Sequence, residues 1–163
     1  SHPGPTRSSG ISREPDPGIL SMTGPTNSAA LRARLRRQAR QRCEYCQTPE
    51  WITGLVCEID HIIPRAHGGS TTFDNLCLAC SACNAYKQAK MHATDPETGQ
   101  EVPLFHPRRQ RWHEHFAWSE SGTLIIGLTS CGRATIEALR LNNVEIVAAR
   151  ALWVGVVWHP PQE

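Results

Sequence analysis

The chain has 163 residues and a formal net charge of +2 at pH 7, so it is long enough for one domain with extensions, and its overall charge does not indicate a nucleic-acid ligand. No apolar run approaches the roughly 20 residues that span a bilayer, which argues against a membrane-embedded protein. The Pro-, Gly- and Ser-rich N-terminus has no apolar signal-peptide core, and we expect a cytoplasmic protein.

Residues 1–27 contain few side chains that could join a core, and we expect a disordered tail. Ser28 is a good N-cap, and the run after it predicts a helix that leads to Cys43. Leu31 and Leu35 share one face of this helix. Arginines occupy most of the remaining surface, which suits either a phosphate backbone or a solvated face. The residues that we expect to bind nucleic acid are Arg36, Arg37 and Arg40.

The middle of the chain alternates short elements with turns. We expect a loop at 47–53 and a strand at 55–63, because β-branched residues dominate that strand and Pro64 ends it. A Gly-containing loop, a short strand at 76–78, and a helix from Ser81 to about Met91 follow.

The C-terminal part predicts a turn at 95–99, a strand at 102–105 and a hairpin between 116–118 and 123–128. Two helices should follow, one at 132–141 and one capped by Asn143. We therefore divide the chain into a tail (1–27), a core with a leading basic helix (28–92) and a C-terminal extension packed on that core (93–163).

The seven cysteines are an odd number, so complete internal disulfide pairing is impossible. Two Cys-x-x-Cys pairs favour a closed tetrathiolate site, which suits structural Zn²⁺. Cys77 and Cys80 form an overlapping pair, but Cys77 lies between two leucines and should behave as a small buried hydrophobe. The predicted ligands are Cys43, Cys46, Cys80 and Cys83, and the alternative is a set of free buried thiols.

An Asp60-His61 pair lies at the end of the predicted strand, where alternation places the carboxylate and the imidazole on opposite faces. Such a pair is weak alone, but here Gly68-Gly69, Asn75 and Asn84-x-x-Lys87 accompany it. The ordered set Cys-x-x-Cys, Glu-Ile-Asp-His-Ile-Ile-Pro-x-x-x-Gly-Gly, Asp-Asn-Leu and Cys-x-x-Cys-Asn-x-x-Lys resembles the HNH endonuclease family, in particular the members stapled by a four-cysteine zinc site. Residues 95–161 look similar to a C-terminal extension of a bacterial HNH subgroup.

The resemblance implies an α+β fold with a ββα-metal core and a metal-dependent hydrolysis of phosphodiester bonds in DNA. It makes His61 the general base that activates water. Asp60 and Asn84 would bind the catalytic ion, and Asn75 would orient the His61 loop or the scissile phosphate. Asn84 stands where the family often has His, and its amide oxygen favours Mg²⁺ or Mn²⁺ over softer ions.

Two further residues are weaker candidates for phosphate contact. Lys87 lies one helical turn beyond Asn84, and His67 lies in the loop after the Asp-His strand. Both fit an ordinary solvated side chain nearly as well or better. Two alternatives to an endonuclease remain at this stage: a zinc-stabilised module that binds nucleic acid without catalysis, and a zinc-stapled protein-interaction domain.

Overall fold

The computed structural model of the chain describes residues 28–162, and the predicted disordered tail lies outside them. Within these residues, short helices alternate with three separate two-stranded antiparallel sheets. The elements are α1 (Ala29–Ala39), α2 (Glu50–Thr53), β1 (Glu58–His61), β2 (Leu76–Ala79), α3 (Ser81–Lys87), β3 (His92–Thr94), β4 (Glu101–Pro103), α4 (Trp112–His115), β5 (Phe116–Trp118), β6 (Ile125–Gly127), α5 (Ser130–Leu139) and α6 (Val144–Gly155). The predicted α+β class is confirmed.

Helix α1 begins as predicted, since the Ser28 hydroxyl accepts a hydrogen bond from the Leu31 amide at 3.3 Å. Leu35 and Ala39 are buried, and the helix ends three residues before the predicted Arg42. Arg40 and Gln41 both have φ near 54°, a left-handed conformation that turns the chain into the first cysteine pair.

The ββα unit consists of β1, β2 and α3. Its strands pair antiparallel, with Glu58 opposite Ala79 and His61 opposite Leu76. The strand predicted at 55–63 is too long, because β2 offers a partner for only four residues. Leu55 and Val56 lie outside the strand, and each is 66% exposed. Helix α3 is capped by the Cys80 sulfur, and it ends at Lys87 because Gln88 has φ 51°.

The C-terminal elements share one hydrophobic cluster with the ββα unit, in which Leu104, Phe105 and Trp112 join Leu35 and Leu78. The Trp112 indole also donates a hydrogen bond to the Tyr45 carbonyl at 2.8 Å. These contacts are those that an extension packed on a core requires, although β3 runs across the boundary that we placed between residues 92 and 93. The predicted hairpin is confirmed as β5–β6, and so is the Asn143 cap of α6. The elements α2, β3 and α4 were not predicted. Within residues 28–162, no helix is both long and apolar enough to cross a membrane.

Candidate metal sites and catalytic loop

Four cysteine sulfurs form one cluster. The Sγ atoms of Cys43, Cys46, Cys80 and Cys83 all lie within 4.8 Å of one another. In each pair the second amide donates to the first sulfur, Cys46 N to Cys43 at 3.5 Å and Cys83 N to Cys80 at 3.4 Å. Such amide donors stabilise thiolates, and four thiolates at this spacing are compatible with a structural zinc site.

The cysteines of this cluster differ in the direction of their pKa shifts. Burial raises the pKa of the Cys43 thiol, whereas hydrogen bonds from the neighbouring thiols lower that of Cys46. A divalent ion would reverse the effect of burial, because it stabilises every thiolate that it binds.

The remaining cysteines are not part of this cluster. The Cys77 sulfur is buried and contacts the Tyr45 hydroxyl at 3.6 Å and the Asp60 carboxylate at 4.0 Å. Burial raises the pKa of Cys57 to about 12, so it stays a thiol at neutral pH. Cys131 contacts the Gln110 side chain in the C-terminal part of the fold.

Strand β1 presents two carboxylates to helix α3. Glu58 accepts a hydrogen bond from the Asn84 amide, and Asp60 forms a 3.0 Å ion pair with Lys87. The two acids are two residues apart and so share a strand face, while Asn84 and Lys87 are one helical turn apart. These two contacts therefore join β1 to α3 through residues of the motif.

His61 lies at the mouth of the loop between β1 and β2. Its Nε2 lies 2.9 Å from the Thr71 hydroxyl, and its ring is half-buried. Burial, followed by the charge of Arg65, lowers its pKa below the usual 6.5. This lower pKa favours the neutral imidazole, the form that can accept a proton.

Asn75 fastens the ends of this loop to each other. Its amide oxygen accepts from the Ile63 amide at 2.9 Å, and its amide nitrogen donates to the Ile63 carbonyl at 2.9 Å and to the Ser70 carbonyl at 2.8 Å. The loop turns at Gly68, with φ 84°, and a Cβ on Gly69 would lie 1.7 Å from the Ile63 oxygen. These hydrogen bonds would allow Asn75 to orient the loop that carries His61.

Lys87 is not placed where a phosphate could reach it. Its side chain is 1% exposed, and its ammonium donates to the His61 carbonyl at 3.0 Å as well as pairing with Asp60. A buried ammonium with two internal partners holds β1 and α3 together, which corrects our expectation of a phosphate contact.

The other nucleic-acid candidates differ in availability. His67 is exposed in the short 3₁₀ turn Arg65–His67. Arg37 and Arg40 are also exposed. Arg36, in contrast, is bound to the Glu50 carboxylate through two hydrogen bonds, one of them 3.1 Å long, so its guanidinium has an internal partner.

Sequence reasoning missed three side chains around the site: Glu58, Thr71 and Tyr45. Glu58 had a usable signal, because it lies two residues before Asp60 and so on the same strand face. Thr71 and the Tyr45 hydroxyl, which lies 3.1 Å from Asp60, meet the motif only through the fold.

Comparison with known proteins identifies part of the chain. Residues 43–90 match the family model described as HNH endonuclease. A curated relative, the CRISPR-associated endonuclease Cas9 of Corynebacterium diphtheriae, is 47% identical over 57 residues, which cover 32% of this chain and 5% of the relative. The chain thus spans a small fraction of that protein's length. No solved structure matches the chain.

Proposed function

We propose that the chain is a metal-dependent endonuclease that hydrolyses phosphodiester bonds in DNA, because residues 43–90 match the HNH endonuclease family model. The observation that carries the proposal is the convergence of the motif residues on one ββα unit, with the His61 imidazole held at its loop. Nicking of one strand and cleavage of both are equally compatible with this unit.

The donor set suits a hard ion with few protein ligands. Among residues 28–162, no cluster of three or more His, Cys, Asp or Glu side chains exists besides the four cysteines. Asp60 and Asn84 would therefore bind Mg²⁺ or Mn²⁺ together with substrate oxygens and water, which is how Mg²⁺ commonly sits at phosphates. When bound, such an ion neutralises the phosphate and stabilises the charge that develops in the transition state.

In the proposed reaction His61 takes a proton from the attacking water, and Thr71 holds the imidazole in place by its contact with Nε2. Asn75 fixes the loop, so the base needs little reorganisation. The zinc that we propose for the four-cysteine cluster is structural, because all four of its positions are filled by protein.

A plasmid assay tests the proposal. Purified, zinc-loaded protein should relax or linearise supercoiled plasmid with Mg²⁺ or Mn²⁺ and should not do so with a chelator of those ions. His61→Ala should abolish cleavage at an unchanged melting temperature. His92→Ala is the matched control, since it removes an exposed imidazole outside the motif, and it should retain most of the activity.

One observation favours the alternative of a non-catalytic zinc-stabilised nucleic-acid-binding module. The Asp60 carboxylate is nearly buried and already paired with Lys87 and Tyr45, so fewer of its lone pairs are open to a metal. If wild-type protein binds DNA in a salt-sensitive way but cleaves no plasmid with either ion, this alternative replaces the endonuclease.

A further inference from the structure

One arginine of the basic helix lies against the catalytic loop. The guanidinium carbon of Arg34 is 3.6 Å from the centroid of the Phe73 ring, and Arg34 is otherwise exposed. A cation–π contact of this kind orders the side chain of an arginine without consuming its N–H donors.

Phe73 ties this contact to the base. It begins the 3₁₀ turn Phe73–Asn75, and the Asn75 side chain at the end of that turn holds the loop closed. Two residues before Phe73, the Thr71 hydroxyl contacts the His61 ring. The Arg34 guanidinium is therefore attached, through one aromatic ring, to the segment that holds the base.

Helical geometry separates Arg34 from the arginines that sequence reasoning selected. At about 100° per residue, Arg34 and Arg36 lie roughly 160° apart around α1, on opposite flanks. Arg36 faces Glu50, whereas Arg34 faces Phe73. The basic run is thus divided, and the flank with Arg34 is the one beside the loop.

The charge of Arg34 is not neutralised locally. No ion pair joins Arg34 to a carboxylate within residues 28–162; Asp74, which adjoins Phe73 in sequence, is exposed and forms none with it. Arg108 also lies over the Phe73 ring, 4.9 Å from its centroid, but its guanidinium is bidentate to Glu44 at 2.7 and 2.8 Å. Arg108 anchors the fold, while Arg34 keeps its donors for a ligand.

We propose that Arg34 binds a phosphate of the DNA strand beside the scissile bond, with Phe73 as the platform that holds its guanidinium in place. The ligand is a backbone phosphodiester, since a flat, pre-ordered guanidinium matches two phosphate oxygens. This inference rests on the proposed function and adds to it a residue that sets where the strand lies relative to His61.

The test compares Arg34→Ala with Arg32→Ala, an exposed arginine on the opposite flank of the same helix. Binding of a DNA duplex is measured as a function of salt in the His61→Ala background. Loss of one phosphate contact should lower the magnitude of the salt slope by about 0.9 for Arg34→Ala, with less than half that change for Arg32→Ala. Equal changes in the two variants would overturn the proposal, because they indicate only a general charge effect.

Cleavage kinetics supply a second readout. Arg34→Ala should raise KM by about ten- to a hundredfold, the effect of one charged hydrogen-bonded contact, with kcat changed less than twofold. Phe73→Leu keeps apolar contact with α1 but removes the ring, and should raise KM by a smaller factor with the charge intact. An unchanged KM in both variants refutes the inference and leaves the endonuclease standing. Absence of cleavage in the wild type refutes the endonuclease, while the binding comparison still decides the role of Arg34.

Discussion

Replacing Lys87 with methionine tests the buried ion pair directly. The methionine keeps most of the apolar stem but removes the ammonium that lies 3.0 Å from the Asp60 carboxylate. At that distance and an effective dielectric constant of about 20, the attraction between the charges is about 5.5 kcal/mol. Removing the ammonium also leaves the His61 carbonyl without its donor.

The net cost is smaller than the attraction, because the wild type gives up the hydration of both charges. Breaking a buried pair from one side costs about 3–5 kcal/mol, so the variant should lose a large part of a typical stability of 5–15 kcal/mol. This corresponds to a fall in melting temperature of about 10 °C. Urea unfolding of zinc-loaded protein measures the change.

Lys90→Met is the matched control, since Lys90 is exposed just beyond the same helix and should cost at most about 0.5 kcal/mol. Asp60→Asn added to Lys87→Met should recover part of the loss, because it removes the uncompensated carboxylate. The reasoning is refuted if Lys87→Met unfolds at the wild-type urea concentration and instead weakens DNA binding. That result would return Lys87 to the role of a phosphate ligand.

Four other outcomes follow from the site and its supports. Burial lowers the pKa of His61 below its usual 6.5, and protonation removes the proposed base. We therefore expect kcat/KM to be flat near neutral pH and to fall about tenfold per pH unit once the pH drops below that pKa. A profile that already falls between pH 8 and 7 would contradict this. Asn75→Asp keeps the acceptor for the Ile63 amide but loses both donors, so it should lower the free energy of unfolding in urea by about 2 kcal/mol. It should also reduce kcat by a larger factor than it changes KM. A kcat at the wild-type level would show that the loop is held without Asn75. Cys46→Ser, or a strong zinc chelator, should melt the fold, as followed by circular dichroism, whereas Cys131→Ser should not; a Cys46→Ser protein that melts like the wild type would disprove a structural tetrathiolate site. The guanidinium of Arg133 holds the pKa of Asp95 well below its usual range, so the stability of the wild type should fall as the pH drops below about 4. The Asp95→Asn variant should lose that acid sensitivity. Equal acid sensitivity in the two proteins would argue against the ion pair.

The parts of this fold that sequence predicted are those set by neighbouring residues. The Ser28 and Asn143 caps depend on residues three positions away, and both are confirmed. The choice of Cys80 over Cys77 also followed from local pattern, because a cysteine between two leucines belongs to a strand that is buried on both faces. The strand at 55–63 was overextended because its length depends on the partner strand, which the local pattern does not reveal.

The charged network around Asp60 and His61 was beyond sequence reasoning for a different reason. Alternation puts Asp60 and His61 on opposite faces, but it does not say which face α3 covers. Helix α3 covers the Asp60 face, so Lys87 is buried there, and the carboxylate that the motif offers to a metal is the one that the fold neutralises. The stacking of Arg34 on Phe73 joins residues from distant parts of the chain, and no spacing rule predicts it.

The contacts of Glu44 bear on how far the HNH segment could be transplanted. This carboxylate accepts the Leu78 amide at 2.8 Å and both guanidinium nitrogens of Arg108, so one side chain from the first cysteine pair bridges β2 and the C-terminal residues. Cutting the chain after residue 92 would leave the buried Glu44 carboxylate without the Arg108 guanidinium. It would also remove the Trp112 indole that donates to the Tyr45 carbonyl. Residues 43–90 therefore cannot be transferred to another protein without replacing these contacts. The segment grafted onto another scaffold would need a substitute cation at Glu44 before its four-cysteine cluster could support the loop.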